Sequence, residues 1–340
     1  MPRDWILAHF PLFRLALFGC CAAYWLIGYL WLKPGRRELA IAIMAVWIQF
    51  CAGALLDIGI VRFHYWSYRP MPFTLHGVPL DLHLDWALIW GFILVWLYSR
   101  LRRHYRGWPF VPAYLTIWTL FTLVFDLIVA RRLLFLSAVS QYWWIADATL
   151  LFLLQVITLW VYHTAMYRPS IEWRDVWACR IRSVLYVGSL AYVFYGYIPS
   201  VILSRTDGWD VRPLAGLGDW RVLAAVAALP LALGTWATVQ FTDVGRGTPI
   251  PLDPPRRLVA TGPYAYVRNP MQISGILVAI VIALYHPTAY MALYLLDVLL
   301  ISGLLFHIYE RKELAEMFGE PYLRYKSHVK NWLPRLDPYK

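Results

Sequence analysis

Charged residues are scarce in this chain of 340 residues: they make up 15% of it, whereas 60% of its residues are hydrophobic. A soluble globular domain carries about 25% charged residues. The shortage therefore excludes an ordinary soluble fold. Together with a mean hydropathy of +0.53, it indicates a polytopic membrane protein with an all-α fold.

Cysteine is also rare. The four cysteines lie in or beside apolar segments and show no CxxC spacing. This pattern excludes a disulfide framework and a zinc centre, and we predict no metal site.

Acidic residues are few compared with basic ones, which gives a formal net charge of +11. In a soluble chain such an excess would suggest nucleic acid as a partner. Here most of the basic residues lie in short loops between apolar runs, which is typical of positive-inside topology. We therefore expect a membrane environment and no nucleic-acid partner.

Apolar runs long enough to cross a membrane dominate the sequence, because a bilayer core needs about 20 apolar residues per helix. The N-terminal stretch has no clear cleavage site, so we interpret it as a retained first span and not as a signal peptide. Nine membrane segments are predicted, near residues 13–32, 39–60, 83–99, 111–130, 142–162, 183–203, 220–242, 272–285 and 289–307.

The distribution of basic residues predicts the orientation of these segments. Alternate loops and the C-terminal tail hold 22 of the 31 Lys and Arg residues. With nine crossings, the positive-inside rule places the N-terminus outside and the C-terminus in the cytoplasm, as in a bacterial inner membrane protein.

A polar loop at 166–182 divides the chain into two parts. Residues 1–165 are predicted to form a five-helix membrane bundle, and residues 166–340 a second membrane domain. The last two apolar runs are separated only by His286 and Pro287 with their neighbours, which predicts a tight helical hairpin. This hairpin would bring segment 262–272 beside segment 307–325.

Several acidic residues fall within or beside the spans of the N-terminal half, where ionisable side chains are costly and are functional candidates. One interpretation is a set of interfacial ion pairs that orient the helices. The other is an outward-facing polar cavity that holds a lipid headgroup. The residues concerned are Asp57, Asp81, Asp85, Asp126 and Asp147, accompanied by Arg62, His64, Arg131 and Arg132.

The C-terminal half carries a distinctive series of residues on either side of the predicted hairpin. Before the hairpin stand Gly262, Pro263, Tyr264, Val267, Arg268, Asn269 and Pro270. After it stand Glu310, Leu314, Phe318, Gly319, Tyr322, Tyr325, Val329, Trp332 and Pro334. The order and spacing resemble the signature of the integral-membrane methyltransferases related to isoprenylcysteine carboxyl methyltransferase and the phospholipid methyltransferases.

This resemblance implies a cytoplasmic site for S-adenosylmethionine, enclosed by the two halves of the signature with the hairpin between them. Methyl transfer from a sulfonium needs positioning and exclusion of water, not a metal. The resemblance assigns catalytic roles to Arg268, Asn269 and Glu310. It assigns cofactor binding to Gly262, Tyr264, Tyr266, Arg268, Pro270, His307, Glu310, Tyr322 and Tyr325.

Three positions depart from the family pattern. Asn269 stands where many members have His, and Gln272 stands where a Tyr is frequent. Arg311 replaces the second acidic residue of a Glu-Glu pair and so reverses a charge beside the expected cofactor site.

The resulting functional hypothesis is methyl transfer to a hydrophobic or lipid-anchored acceptor, such as an isoprenoid or a phospholipid amine. The alternative is a non-catalytic membrane subunit. In that case the methyltransferase-like half is a scaffold, and the N-terminal bundle binds other membrane proteins.

Overall fold

In the computed structural model the chain forms two compact units, Met1–Arg168 and Pro169–Lys340. This division does not test whether the two parts have different functions. The structure describes residues 10–68, 74–105, 110–130, 136–167, 173–204, 220–249, 254–309 and 313–339.

The first unit is a bundle of apolar helices. Two π-helical turns interrupt it, Ala87–Gly91 between α3 and α4 and Asp126–Ala130 after α5. Helices α2 and α6 pack along each other. The helices are α1 (Phe10–Leu32), α2 (Arg36–Arg62), α3 (Leu80–Trp86), α4 (Phe92–Leu101), α5 (Phe110–Phe125) and α6 (Trp143–Tyr167).

Two short antiparallel strand pairs accompany the helices of the first unit. Strand β1 (Trp66–Tyr68) pairs with β4 (Leu136–Ala138), and β2 (Thr74–Leu75) pairs with β3 (Val78–Pro79). These strands are only two or three residues long. They join loops at the helix ends and leave the architecture predominantly helical.

Polar side chains form a seam between helices of the first unit. The Thr158 hydroxyl on α6 donates to Gln49 Oε1 on α2 at 3.1 Å. The amide of Gln155 accepts from Thr119 at 2.8 Å and donates to Thr122 at 3.1 Å. Because amide and hydroxyl groups are costly to bury without partners, these bonds fix which faces of α2, α5 and α6 meet.

The second unit contains the predicted C-terminal helices. A π-helical turn at Tyr192–Tyr197 joins α7 to α8. The helices are α7 (Trp173–Ala191), α8 (Ile198–Ser204), α9 (Trp220–Gly245), α10 (Pro270–Tyr285), α11 (Ala289–Tyr309), α12 (Glu313–Phe318) and α13 (Glu320–His328).

Small residues bring α9 and α10 close together. A Cβ added at Gly234 would lie 2.4 Å from the Ser274 hydroxyl oxygen. That hydroxyl donates to the Pro230 carbonyl at 2.6 Å, and Ala237 on the same helix is fully buried. Close approach of backbones through small residues is how membrane helices gain contact area.

The predicted helical hairpin is present. Helix α10 ends at Tyr285 and α11 begins at Ala289, and the Thr288 hydroxyl accepts a hydrogen bond from the Met291 N–H at 3.1 Å. This is an N-cap interaction that begins the second helix. With 16 residues, α10 is about 24 Å long at 1.5 Å per residue.

The prediction of nine membrane crossings is not confirmed by the described helices. Within the described part of the chain, six helices are long and apolar enough to cross a bilayer, and three apolar helices are shorter. The shorter ones include α10, whose length falls short of a hydrocarbon core of about 30 Å. The structure therefore supports an integral membrane protein but does not confirm nine crossings.

The close contact at Gly234 predicts that Gly234→Ala lowers stability. The added methyl group must displace Ser274, and overpacking of this kind costs about 1–3 kcal/mol. Unfolding of the purified protein in detergent measures the effect. Gly303→Ala is the matched control, because a Cβ there meets nothing within 4 Å and alanine favours the helix. Equal shifts for both variants would contradict close packing at Gly234.

Candidate functional site

The chain turns sharply where α9 ends at Gly245. Arg246 has a left-handed conformation with φ 58°. A Cβ at Gly247 would lie 2.6 Å from the Pro254 carbonyl oxygen, so this close backbone approach requires glycine. The N–H of Arg256 donates to the Gly245 carbonyl at 2.7 Å. The chain from residue 254 onward is therefore folded back against the end of α9.

Helix α7 supports this end of α9. Arg180 donates two hydrogen bonds to the Asp243 carboxylate, at 2.8 and 2.9 Å. The buried thiol of Cys179 lies one position earlier and contacts the Gly247 carbonyl oxygen at 3.2 Å. A bidentate guanidinium–carboxylate pair fixes orientation as well as distance. Sequence analysis missed both contacts, because the partners are more than 60 positions apart.

The first half of the signature begins with a glycine turn. Gly262 has φ 60°, and a Cβ there would lie 2.8 Å from the Gln240 side chain on α9. A 3₁₀ turn over Gly262–Ala265 follows. It places the ring of Tyr264 in a buried cluster beside Phe241, with ring centroids 6.0 Å apart. The turn thus joins the signature to α9.

The residues from Tyr264 to Arg268 are also held by the C-terminal residues 325–339. Such bonds matter because an irregular buried backbone has no helix or sheet to satisfy its polar groups. The Tyr325 hydroxyl donates a hydrogen bond to the Tyr264 carbonyl at 2.8 Å. Three backbone N–H groups also donate to backbone carbonyls: Arg268 to Lys330 at 3.0 Å, Arg335 to Tyr266 at 3.0 Å and Tyr339 to Ala265 at 2.9 Å.

A small aromatic core lies beneath these bonds. Tyr322, Tyr325 and Val329 are buried and pack against Leu258 and Phe318. The spacing of Tyr322, Tyr325 and Val329 puts them on one face of α13 and its continuation. In the second half of the signature these residues therefore carry packing, in addition to any contact with a ligand.

Three polar atoms near the signature are buried without a hydrogen-bond partner in the described part of the chain: Tyr264 Oη, Gln272 Oε1 and Asn331 Oδ1. Burial raises the pKa of Tyr264 well above its ordinary value, and the nearby Tyr325 adds to the shift. The hydroxyl therefore stays protonated and can donate. A buried polar atom without a partner costs about 1–3 kcal/mol, so the three atoms are candidates for ligand contacts.

The structure brings most of the predicted site residues together. Six of them form one continuous segment, to which Tyr325 is hydrogen-bonded: Gly262, Tyr264, Tyr266, Arg268, Asn269 and Pro270. The cluster that contains Tyr322 packs against Leu258 and Ala260, just before this segment. Asn269 stands directly before α10, and Pro270 is its first residue.

The other predicted residues follow the hairpin in the sequence. His307 is in the last turn of α11. Glu310 and Arg311 lie outside the described residues, so the predicted proximity of Glu310 to Arg268 stays a prediction. Asn331 was not predicted, since a single Asn in a basic stretch has no sequence signal. Gln272 was noted only as a departure from the family pattern.

Residues 221–321 match the phospholipid methyltransferase family. The match includes α9, the first half of the signature, the hairpin and α12. Comparison with curated proteins found no match, and comparison with solved structures found none either. The predicted resemblance is thus confirmed for the C-terminal part of the chain, which is similar to the phospholipid methyltransferase family over residues 221–321.

Removal of the two buried tyrosine hydroxyls of the site should change stability differently. Tyr325→Phe removes the donor to the Tyr264 carbonyl and leaves that carbonyl buried without this bond, which should cost about 1–3 kcal/mol. Tyr264→Phe also removes a hydroxyl oxygen, but that oxygen has no hydrogen-bond partner among the described residues. This substitution should therefore leave stability unchanged or raise it. Unfolding without added cofactor compares them, and equal destabilisation would contradict the assigned hydrogen bond.

Proposed function

We propose that the protein transfers a methyl group from S-adenosylmethionine to a hydrophobic or lipid-type acceptor at the cytoplasmic face of the membrane. The observation that carries the proposal is the phospholipid methyltransferase match over residues 221–321. Within that range the first half of the signature is built as a fixed, buried turn against α9.

The chemistry of the available groups suits this cofactor. When bound, S-adenosylmethionine supplies a methyl group on a sulfonium together with an ammonium, a carboxylate, ribose hydroxyls and adenine. Tyr264 offers a hydroxyl donor, and the amide oxygens of Gln272 and Asn331 offer acceptors for N–H or hydroxyl groups. Arg268 offers a cation for the carboxylate. The resemblance adds Glu310 as an acceptor for the ammonium or ribose.

A lipid-type acceptor agrees with the surface of the hairpin. Leucine side chains on α10 and α11 are exposed to a large extent, among them Leu277, Leu293 and Leu300 at 41, 58 and 60%. In a membrane protein such side chains face lipid. An acceptor dissolved in the bilayer therefore reaches the end of the hairpin without entering water, whereas the cofactor arrives from the aqueous side.

The cytoplasmic assignment depends on charge distribution. The segment 246–268 and the chain after residue 307 are rich in Lys and Arg, and such segments remain on the cytoplasmic side. Both halves of the signature are then on the face where S-adenosylmethionine is made available. Accessibility labelling of a cysteine introduced at position 255 tests this orientation.

The proposal predicts which substitutions weaken cofactor binding. Glu310→Gln should reduce the affinity for S-adenosylmethionine by about 10- to 150-fold, since it removes a charge-assisted hydrogen bond. Tyr264→Phe should reduce it by about 2- to 10-fold, because a neutral hydrogen bond is weaker. Calorimetric titration of the purified full chain in detergent measures both affinities, and transfer of a labelled methyl group to extracted lipid tests the reaction.

Asp126→Asn is the matched control for this titration. It replaces a buried carboxyl group of the first unit and should leave cofactor affinity unchanged. If the wild type bound no cofactor, the non-catalytic scaffold would become the better interpretation. If Asp126→Asn abolished binding while Glu310→Gln did not, the cofactor site would lie outside the signature.

A further inference from the structure

A groove and a cleft adjoin each other on the surface of the first unit. The groove has a volume of about 510 Å³, runs between α2 and α6 and is mostly apolar. The side chains that line it include Leu56, Ile60, Ile145, Ala146, Thr149 and Leu150. The cleft, of about 660 Å³, is lined by Phe63, His64, Tyr65, Val139, Ser140 and Tyr142. Tyr65 and Tyr142 line both spaces, so the groove opens into the cleft.

The helices place these two spaces at different depths of the membrane. Helices α2 and α6 are candidate membrane spans, so the groove between them lies at the depth of acyl chains. The cleft lies where α2 ends at Arg62 and α6 begins at Trp143, which is the level of lipid headgroups. Tyrosine and tryptophan are enriched at that level, and Tyr142 and Trp144 are exposed there. An amphipathic molecule of the bilayer therefore meets an apolar space for its tail and a polar space for its head.

Small side chains on α6 leave the room that forms the groove. Ala146 and Thr149 are three positions apart, so they lie on one face of the helix. The exposed Thr149 donates its hydroxyl to the Ile145 carbonyl of the same helix at 2.8 Å. A hydroxyl that is bonded in this way needs no water, and the groove can hold an alkyl chain.

A buried cluster fixes the floor of the groove. Ile60 and Leu150 line the groove and belong to the cluster that contains Trp66. The Trp66 indole N–H donates to Asp57 Oδ1 at 2.9 Å, and His83 Nε2 lies 2.7 Å from Asp57 Oδ2. Hydrogen bonds at this depth hold side chains in one orientation. The groove is therefore formed before a ligand arrives, which lowers the entropic cost of binding.

The backbone fixes the wall of the cleft. The N–H groups of Val139 and Ser140 donate to the Tyr65 carbonyl at 3.1 and 3.0 Å, next to the pairing of β1 with β4. His64 has a left-handed conformation with φ 60°, which is uncommon for a residue other than glycine. Such conformations cluster at ligand sites. Here it turns the chain from α2 into β1 with His64 in the lining of the cleft.

The cleft offers hydrogen-bond donors and positive charge. Ser140 Oγ accepts a bond from the Tyr142 N–H at 3.1 Å, so its own O–H proton points elsewhere and is free to be donated. The His64 imidazole carries an N–H donor in either protonation state. Arg62 adds a permanent positive charge in the exposed last turn of α2. The six described residues that line the cleft include no Asp or Glu. This combination favours an oxyanion.

The size of the cleft favours a phosphate diester over the carboxylate of a fatty acid. A carboxylate would fill little of a space of about 660 Å³, since sites that hold entire small molecules measure about 300–1,000 Å³. A phosphate diester brings an alcohol headgroup on one side and glycerol on the other. The glycerol would then lie at the junction of cleft and groove, where the acyl chain begins.

We propose that the first unit binds a glycerophospholipid, with one acyl chain in the groove between α2 and α6 and the phosphate in the cleft near His64, Ser140 and Arg62. This lipid site is separate from the methyl transfer proposed for the C-terminal part of the chain.

A photoactivatable phosphatidylglycerol with a diazirine in one acyl chain tests the place of the acyl chain. The purified full chain is irradiated with this lipid in a non-ionic detergent, and labelled peptides are identified by mass spectrometry. The label should concentrate on the groove-lining residues of α2 and α6. Label spread evenly over the apolar helices would indicate bulk lipid only and would overturn the proposal.

Three unlabelled competitors test the phosphate. Dioctanoyl phosphatidylglycerol should displace the label from the groove. Dioctanoylglycerol has the same chains without the phosphate and should be about 10-fold weaker or worse. Glycerol 3-phosphate has the phosphate without the chains and should also be weaker. Equal displacement by dioctanoylglycerol would overturn the role of the cleft. Equal displacement by glycerol 3-phosphate would show a site for free phosphate and would overturn the role of the groove.

Substitutions in the groove separate this site from general contact with lipid. Thr149→Phe and Leu56→Trp place larger side chains in the groove and should reduce its labelling by about 5-fold or more. Thr116→Phe is the matched control, because Thr116 is exposed on α5 and outside both spaces. Unchanged labelling in both groove variants would overturn the proposal. If one of them fails to fold, the other decides.

Substitutions in the cleft test recognition of the headgroup. Arg62→Gln and His64→Asn should each weaken displacement by dioctanoyl phosphatidylglycerol by about 10-fold and leave displacement by dioctanoylglycerol unchanged. Asparagine is chosen because it tolerates φ 60°. Arg103→Gln is the control: it follows α4, whose Ser99 bonds to Glu38 at the opposite end of α2. Unchanged displacement in both cleft variants would overturn the assignment of the phosphate.

Discussion

The hydrogen bonds between residues 264–268 and residues 325–339 are the constraint on which the candidate methyltransferase site depends. The chain from 254 to 269 is irregular apart from one short 3₁₀ turn. Such a backbone has few partners of its own, and near a membrane water does not replace them reliably. The Tyr325 hydroxyl and the backbone of the C-terminal residues supply them. The position of Arg268 therefore follows from residues more than 55 positions further along the chain.

The two units differ in where their charged and carboxyl side chains lie and in how these side chains are paired. In the second unit, a bidentate ion pair between Arg180 and Asp243 lies at a partly exposed helix end, where charge is inexpensive. In the first unit, carboxyl groups lie in the interior. Asp57 is surrounded by donors, whereas Asp126 Oδ1 and Asp147 Oδ2 have no hydrogen-bond partner among the described residues. Buried charge without full compensation is retained in proteins chiefly where it has a function.

Hydrophobic periodicity and motif spacing predicted the helices, the hairpin and the first half of the signature. These features are local or nearly so: a run of apolar residues needs a helix in lipid, and Pro287 after His286 cannot continue one. The signature order then identified the segment around Gly262, because a position with φ 60° favours glycine, and a glycine can be recognised in the sequence.

The features that sequence analysis missed depend on packing between distant residues. His83 meets Asp57 across 26 positions, and nothing in either local pattern indicates the pairing. The strands β1 to β4 are too short for alternation to reveal them. The residues around Asn331 form no recognisable motif. Its side-chain oxygen is buried only in the folded structure, where residues 325–339 are hydrogen-bonded to the first half of the signature.

The bonds from the C-terminal residues have a consequence for the order of folding. During synthesis the signature leaves the ribosome well before residues 325–339, at about 5–20 residues per second. Through that interval Ala265, Tyr266 and Tyr264 lack the donors they later acquire from Tyr339, Arg335 and Tyr325. The hairpin can enter the membrane first, because its bonds are internal to each helix. The candidate functional site is then among the last parts of the molecule to acquire its structure.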